Sequence, residues 1–186
     1  MPSLATALGV TTSALYHYFP NKQALLDALA DEVLAGFELP STGDLDWRSW
    51  LRAVAVAWRQ LLIDTGPLPP RPTAATRAVG TRMLDGTFEV LLREGFTPEV
   101  ARDAYEAVIA CAFFWAFMAQ ADARDFRLSE SGLRALIDEQ AGELQHPDEI
   151  VTYMAGYDPS ERFPVALDLL LDGIATWRGR DERRPT

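Results

Sequence analysis

Apolar side chains recur at three- and four-residue spacing along nearly the whole chain. That period belongs to helices, because strand faces repeat every second residue and no convincing alternating segment is present. Glycine and proline interrupt the pattern at Gly9, Pro20, 40–43, 66–72, 95–98, Gly132, Pro147 and 158–159, leaving helix-sized pieces. Nothing repeats at a fixed longer interval. The expected fold class is therefore all-α.

Composition sets the outer bounds. A chain of 186 residues with 48% hydrophobic content can bury a substantial core. No run reaches the roughly 18 apolar residues needed to cross a bilayer, and the opening lacks a signal-peptide layout, so a cytoplasmic protein without a membrane partner is expected. The single cysteine, Cys111, excludes an intrachain disulfide and a cysteine-based zinc cage, and reads as a small buried hydrophobe. His17 and His146 are the only histidines, too few for a metal site or catalytic dyad. No glycine-rich phosphate loop or nucleophile elbow occurs, so no enzyme activity, cofactor, metal or catalytic residue is expected.

The net charge of −10 argues against a chain that coats nucleic acid over its whole surface. Its distribution weakens that objection. The first 26 residues carry Lys22 and no carboxylate side chain, whereas acids begin at Asp27, Asp31 and Glu32 and continue through the later helices. Charge sign is segregated, as expected when one end faces DNA.

Five longer helices can be read. Asn21 caps a connecting helix over 21–37 that places Leu25, Leu26, Leu29, Val33 and Leu34 along one side. A helix over 46–65 carries Trp47, Leu51, Val54, Trp58, Leu61 and Leu62, and ends at the proline-rich stretch 66–72. A third, 81–94, turns Met83, Leu84, Phe88, Leu91 and Leu92 inward, with Gly95 as a left-handed C-cap. The fourth, 97–121, opens on Thr97 as cap and Pro98 at the first helical position, and is apolar around most of its circumference. It needs a second partner, and the stripe with Phe113 and Phe117 is assigned to another subunit. In the last helix, from about 158, Phe163, Leu167, Leu170, Ile174 and Trp177 form a three-four seam assigned to the same dimer interface, with Pro164 positioned to kink it. The expected units are 1–36, a helix-turn-helix with its connecting helix; 44–178, a larger helical ligand-binding and dimerisation domain; and 179–186, a charged, frayed tail.

The opening residues carry the most mechanical information. Ala5 is small where two helices cross; Gly9 can take the positive φ of a tight turn; Val10 plugs the angle; and Thr11 can cap a second helix. Leu4, Leu8, Leu15 and Phe19 would make a miniature core, leaving Thr12, Ser13, Ala14, Tyr16, His17 and Tyr18 exposed.

Leu8-Gly9-Val10, followed by Leu15-Tyr16-His17-Tyr18-Phe19-Pro20-Asn21-Lys22-Gln23-Ala24-Leu25-Leu26, resembles the helix-turn-helix signature of the tetracycline-repressor (TetR) family. Leu26-Asp27-Ala28-Leu29-Ala30 extends the likeness toward the tetracycline-repressor subgroup, and Arg162-Phe163 with 167–174 is similar to that subgroup's final dimerisation helix. The resemblance implies that Thr12, Ser13, Ala14, His17 and Tyr18 face bases or sugars, that Tyr16 and Lys22 touch phosphates, and that Thr11 starts the reading helix. The family has a further helix ahead of the segment that opens here at Met1-Pro2-Ser3, so the reading unit is expected to be incomplete at its N-terminus.

No Arg, Asn or Gln occupies the reading face, and hydroxyl, methyl and imidazole contacts discriminate bases less sharply than a bidentate arginine. A homodimer reading two half-sites of a palindromic double-stranded operator is therefore expected. The resemblance further implies a small-molecule inducer pocket in the larger domain. Trp58, Leu62, Met83, Phe88, Trp115 and Met118 are its candidate lining, although an aromatic and methionine stripe serves equally as ordinary core. The expected function is a transcriptional repressor released by a small hydrophobic or aromatic inducer. Two alternatives stay open: a ligand-independent regulator or activator, and a helical small-molecule-binding protein that no longer reads DNA.

Overall fold

The computed structural model describes residues 1–43, 45–65, 73–120, 130–139, 144–155 and 158–178. Among them every regular element is an α-helix: α1 (Pro2–Ala7), α2 (Thr12–Tyr18), α3 (Lys22–Ala35), α4 (Trp47–Thr65), α5 (Ala74–Arg93), α6 (Pro98–Gln120), α7 (Glu130–Asp138), α8 (Pro147–Met154) and α9 (Pro159–Trp177). The proline-rich stretch 66–72 and the tail 179–186 lie outside the described residues.

Local chemistry explains most boundaries. Asp46 accepts the Ser49 amide at 2.8 Å and opens α4; this backbone hydrogen bond holds its carboxyl below the usual carboxylate range. Thr97 accepts the Val100 amide at 3.4 Å ahead of α6. Gly95, at φ +84°, lets the Phe96 amide return to the Leu91 carbonyl at 3.0 Å and closes α5. The start of α5 differs from the expected 81: Thr73 accepts the Thr76 amide, and the helix begins at Ala74. Gly80, which weakens the helical pattern there, sits where the Tyr105 hydroxyl donates to its carbonyl at 3.2 Å. α9 runs unbroken through Pro164.

The main core joins α4, α5, α6 and α9 around Trp50, Leu51, Val54, Met83, Leu91, Val108, Leu167 and Leu171, all fully buried. α3 docks on α5 and delivers Leu34 to this core. Leu26, Leu29 and Val33 of α3 are exposed, so the buried side of the connecting helix is Leu25, Ala30 and Leu34. A separate small cluster of Leu133, Ile137 and Val151 ties α7 to α8.

One contact fixes the approach of α4 to α5. A Cβ placed on Gly86 would lie 2.6 Å from the Trp50 ring, so only glycine admits the indole at that point. The Trp50 Nε1 donates to Thr87 Oγ1 at 3.2 Å, and the Thr87 hydroxyl donates to the Met83 carbonyl at 2.8 Å. A buried hydroxyl and a buried indole are thus both satisfied.

Much of the expected dimer seam on the last helix packs inside the protomer. Phe163, Leu167 and Ile174 are buried within the protomer, where α9 packs on α6 and α4, and Leu170 is half-buried against the same core. A three-four stripe reports that a helix packs, not whether its partner is in the same chain. Of that seam only Trp177 is exposed; Val165 and Leu169, on the opposite side of α9, are exposed as well.

Candidate DNA interface and sensor core

At the front of the chain, Gly9 adopts φ +67°, and the Gly9 and Val10 amides return to the Thr6 and Ala5 carbonyls at 3.2 and 3.0 Å. This closes α1 and swings the chain into α2. Thr11 accepts the Ala14 amide at 3.1 Å and caps α2; Asn21 accepts the Ala24 amide at 2.8 Å and caps α3. Ala5 and Leu15 are buried between α1 and α2, with Leu4 and Phe19 partly covered.

Two members of the expected miniature core lie elsewhere. Leu8 is 59% exposed, and Val10 is also exposed. α1 spans six residues and meets α2 through Ala5; Leu8 falls at the C-cap, where the backbone turns away before either side chain can pack.

The structure gathers the candidate reading residues in one short stretch, with Thr12, Ser13, Ala14, Tyr16, His17 and Tyr18 on α2, Thr11 at its cap and Lys22 at the start of α3. Thr11, Ser13, Tyr16, His17, Tyr18 and Lys22 are exposed, and Thr12 and Ala14 are partly so. Tyr18 is 76% exposed, and its ring meets His17 edge-on at 5.3 Å. Two aromatic hydroxyls, an imidazole, three aliphatic hydroxyls and one ammonium are therefore at least partly accessible on a segment with no carboxylate side chain between Met1 and Leu26. Such a set can donate to phosphate oxygens and touch base edges.

Most candidate sensor residues lie in the larger core. Trp58, Leu62 and Met83 are buried, and Phe88, Trp115 and Met118 are half-buried. Trp58 stacks edge-on with Phe37 of the α3–α4 connection and Phe113 of α6, both at 5.9 Å. Gln120 donates to the Leu62 carbonyl at 2.6 Å and ties the end of α6 to α4. Burial pushes the Cys111 thiol and the Tyr105 phenol above their usual pKa values. Phe37, Thr87, Tyr105 and Gln120 were not legible as participants, because each acts through a partner distant in sequence.

A groove of about 340 Å³ opens between α6 and α9, with Val100, Ala104, Leu169, Gly173, Ile174 and Trp177 among its walls. None of the six candidate sensor residues lines it, whereas Ile174 and Trp177 of the expected dimer seam do. Farther along the two helices α6 exposes Phe113, Phe114 and Phe117 and α9 exposes Val165, while Leu169 of the groove wall is exposed as well.

Residues 1–29 match the family described as bacterial regulatory proteins, tetR family. The tetracycline repressor protein class C of Escherichia coli is 34% identical over 185 residues, covering 94% of this chain and 80% of the repressor. The chain belongs to the TetR family. Its fold is similar to that of a possible TetR-family transcriptional regulator from Streptomyces coelicolor A3(2), with a TM-score of 0.68, 28% identity, and coverage of 94% of this chain and 88% of that one. A TetR variant from Acinetobacter baumannii AYE, solved in complex with minocycline, aligns with a TM-score of 0.60 and 27% identity over 99% of this chain and 87% of that one. These relatives of the TetR chain are transcriptional regulators, and among its described residues no helix is long and apolar enough to cross a membrane.

Proposed function

We propose that this TetR-family protein is a dimeric transcriptional repressor whose α2 reads one half of a palindromic operator in each protomer, and which a small hydrophobic or aromatic inducer releases. The single observation that carries the reading is the Gly9 turn and Thr11 cap, which present Thr12, Ser13, Ala14, Tyr16, His17 and Tyr18 on one short helix free of acids. Tyr16 and Lys22 fix register on phosphates, and Thr12, Ser13, Ala14, His17 and Tyr18 meet bases and sugars. A relative named as a repressor, and a structural neighbour holding minocycline, support the repressor and inducer parts.

The second copy is placed on the α6–α9 face. Phe117 and Trp177 remain there from the expected interface, joined by Phe114, Val165 and Leu169, while Phe113, also exposed, turns its ring to Trp58. Large apolar side chains exposed on both helices, with a groove between them, suit an isologous twofold contact. The inducer is placed in the core about Trp58, Leu62, Met83, Phe88, Trp115 and Met118, where α3, α4, α5 and α6 meet. Binding there would shift the separation of the two reading helices.

Titration of duplex from the protein's own upstream DNA, at two salt concentrations, tests the assignment. Lys22→Ala should weaken binding to every duplex alike and reduce the salt slope by about one. Combined Thr12→Ala, Ser13→Ala and His17→Ala should narrow the gap between operator and random duplex by about tenfold or more, since base contacts carry the discrimination. Unchanged affinity and unchanged discrimination in these variants would refute the role of α2.

A further inference from the structure

The three arginines of α4 point along one side of the helix, at steps of four and seven residues, and all three face α9. Two of them meet aspartates. Arg48 pairs with Asp172 at 2.6 Å, and one turn on Arg52 pairs with Asp168. The helices run antiparallel, so the next rung brings Arg59 to Phe163, whose ring lies 4.8 Å beneath the guanidinium. There the ladder has a cation and no acid. Among the described residues Arg59 makes no ion pair, and its Nε is buried without a hydrogen-bond partner.

Arg59 is also beside a second unsatisfied donor. Trp58 is only 5% exposed, and its indole N–H has no acceptor among the described residues. Phe37 and Phe113 flank that indole, and Phe163 flanks the guanidinium. A ring face offsets part of the cost of a desolvated cation, but a carboxylate does so far better. Partial burial pulls the Arg59 pKa below its ordinary value.

We infer that the sensor's ligands are aromatic carboxylates, whose anionic group completes the third rung of the ladder on Arg59 while the ring system occupies the Phe37, Trp58 and Phe113 cluster and offers an acceptor to the Trp58 N–H. The inference rests on the reading of this core as the sensor and narrows its ligand class. A monoanion fits better than a phosphate ester, because one guanidinium in an apolar setting balances one charge and a second would stay buried and unpaired.

Calorimetric titration of the intact protein with 2-naphthoate and with the isosteric neutral 2-naphthamide tests this. Naphthoate should bind at least about tenfold more tightly, as a charge-assisted hydrogen bond predicts. Arg59→Gln should remove that advantage and leave naphthamide affinity unchanged; Arg59→Lys should restore part of it. Arg52→Gln, which deletes an equal charge from a rung already paired with Asp168, should keep the naphthoate preference. Trp58→Phe, which retains a ring and loses the donor, should weaken both probes by a similar factor. Equal binding of the two probes by the parent protein, or equal losses from Arg59→Gln and Arg52→Gln, would overturn the carboxylate assignment while leaving the sensor core in place. Failure of both probes to bind would overturn the sensor reading and this inference with it.

Discussion

A protein carrying both Phe117→Asp and Leu169→Asp should sediment as a monomer at concentrations where the parent is a dimer, and should no longer retain operator DNA. These side chains are 63% and 69% exposed in the protomer, on α6 and α9 respectively, so their replacement costs the fold little. In the proposed twofold pair they would be buried on both sides. Each apolar side chain of this size contributes about 1.5–3 kcal/mol on burial, and each is counted twice by symmetry. The double variant also places four like charges inside one interface. Together these terms predict a dimer dissociation constant weakened by at least about a thousandfold. Sedimentation velocity reads the change directly, and an unaltered helical circular-dichroism spectrum separates it from unfolding. A dimer of parental strength would remove the α6–α9 face from consideration.

The largest effect on stability is expected at Trp50. Its side chain is 1% exposed, its ring rests on Gly86, and its Nε1 bonds to Thr87. Trp50→Ala opens a large cavity between α4 and α5, which costs about 3–5 kcal/mol for a buried aromatic. For a chain of this size that lowers the melting temperature by roughly ten degrees or more. Trp50→Phe should recover most of the loss, because the ring remains and Thr87 keeps its bond to the Met83 carbonyl. Thermal unfolding of the pair of variants checks both statements. Equal destabilisation by Ala and Phe would show that the hydrogen bond, not the packed ring, holds α4 to α5.

Features governed by near neighbours were legible in the sequence. Gly9, Thr11, Asn21, Thr97 and Gly95 each act within a few residues of their own position, and their turns and caps stand as the residue types require. The exposed face of α2 followed from the same local logic. Partner choice did not. The stripe Phe163, Leu167, Ile174 has the period of any packed helix, and only the three-dimensional arrangement shows that α6 and α4 of the same protomer cover it. Leu8 and Val10 were expected inside because they are apolar and flank the turn, yet a six-residue helix offers too little surface to enclose them.

The proposed sensor core was legible only as a set of bulky residues. What gives it chemistry comes from pairs far apart in the chain: Phe37 against Trp58, Trp50 on Thr87, Gln120 on the Leu62 carbonyl, Arg59 over Phe163. Periodicity places each residue on a face and stays silent about the residue opposite. The ladder on α4 illustrates the difference, since the spacing of Arg48, Arg52 and Arg59 is visible in the sequence but the lack of an acid at its third rung among the described residues is not.

The proposed function depends above all on α2 of each protomer entering a major groove as half of a twofold pair. Repeated selection of duplexes from a random-sequence library by the intact protein measures this with no operator chosen in advance. The expected result is enrichment of an inverted repeat whose half-sites lie one helical turn, or a multiple of it, apart. Recovery of unenriched random sequence, or of a single unrepeated site bound by one protomer, would contradict it.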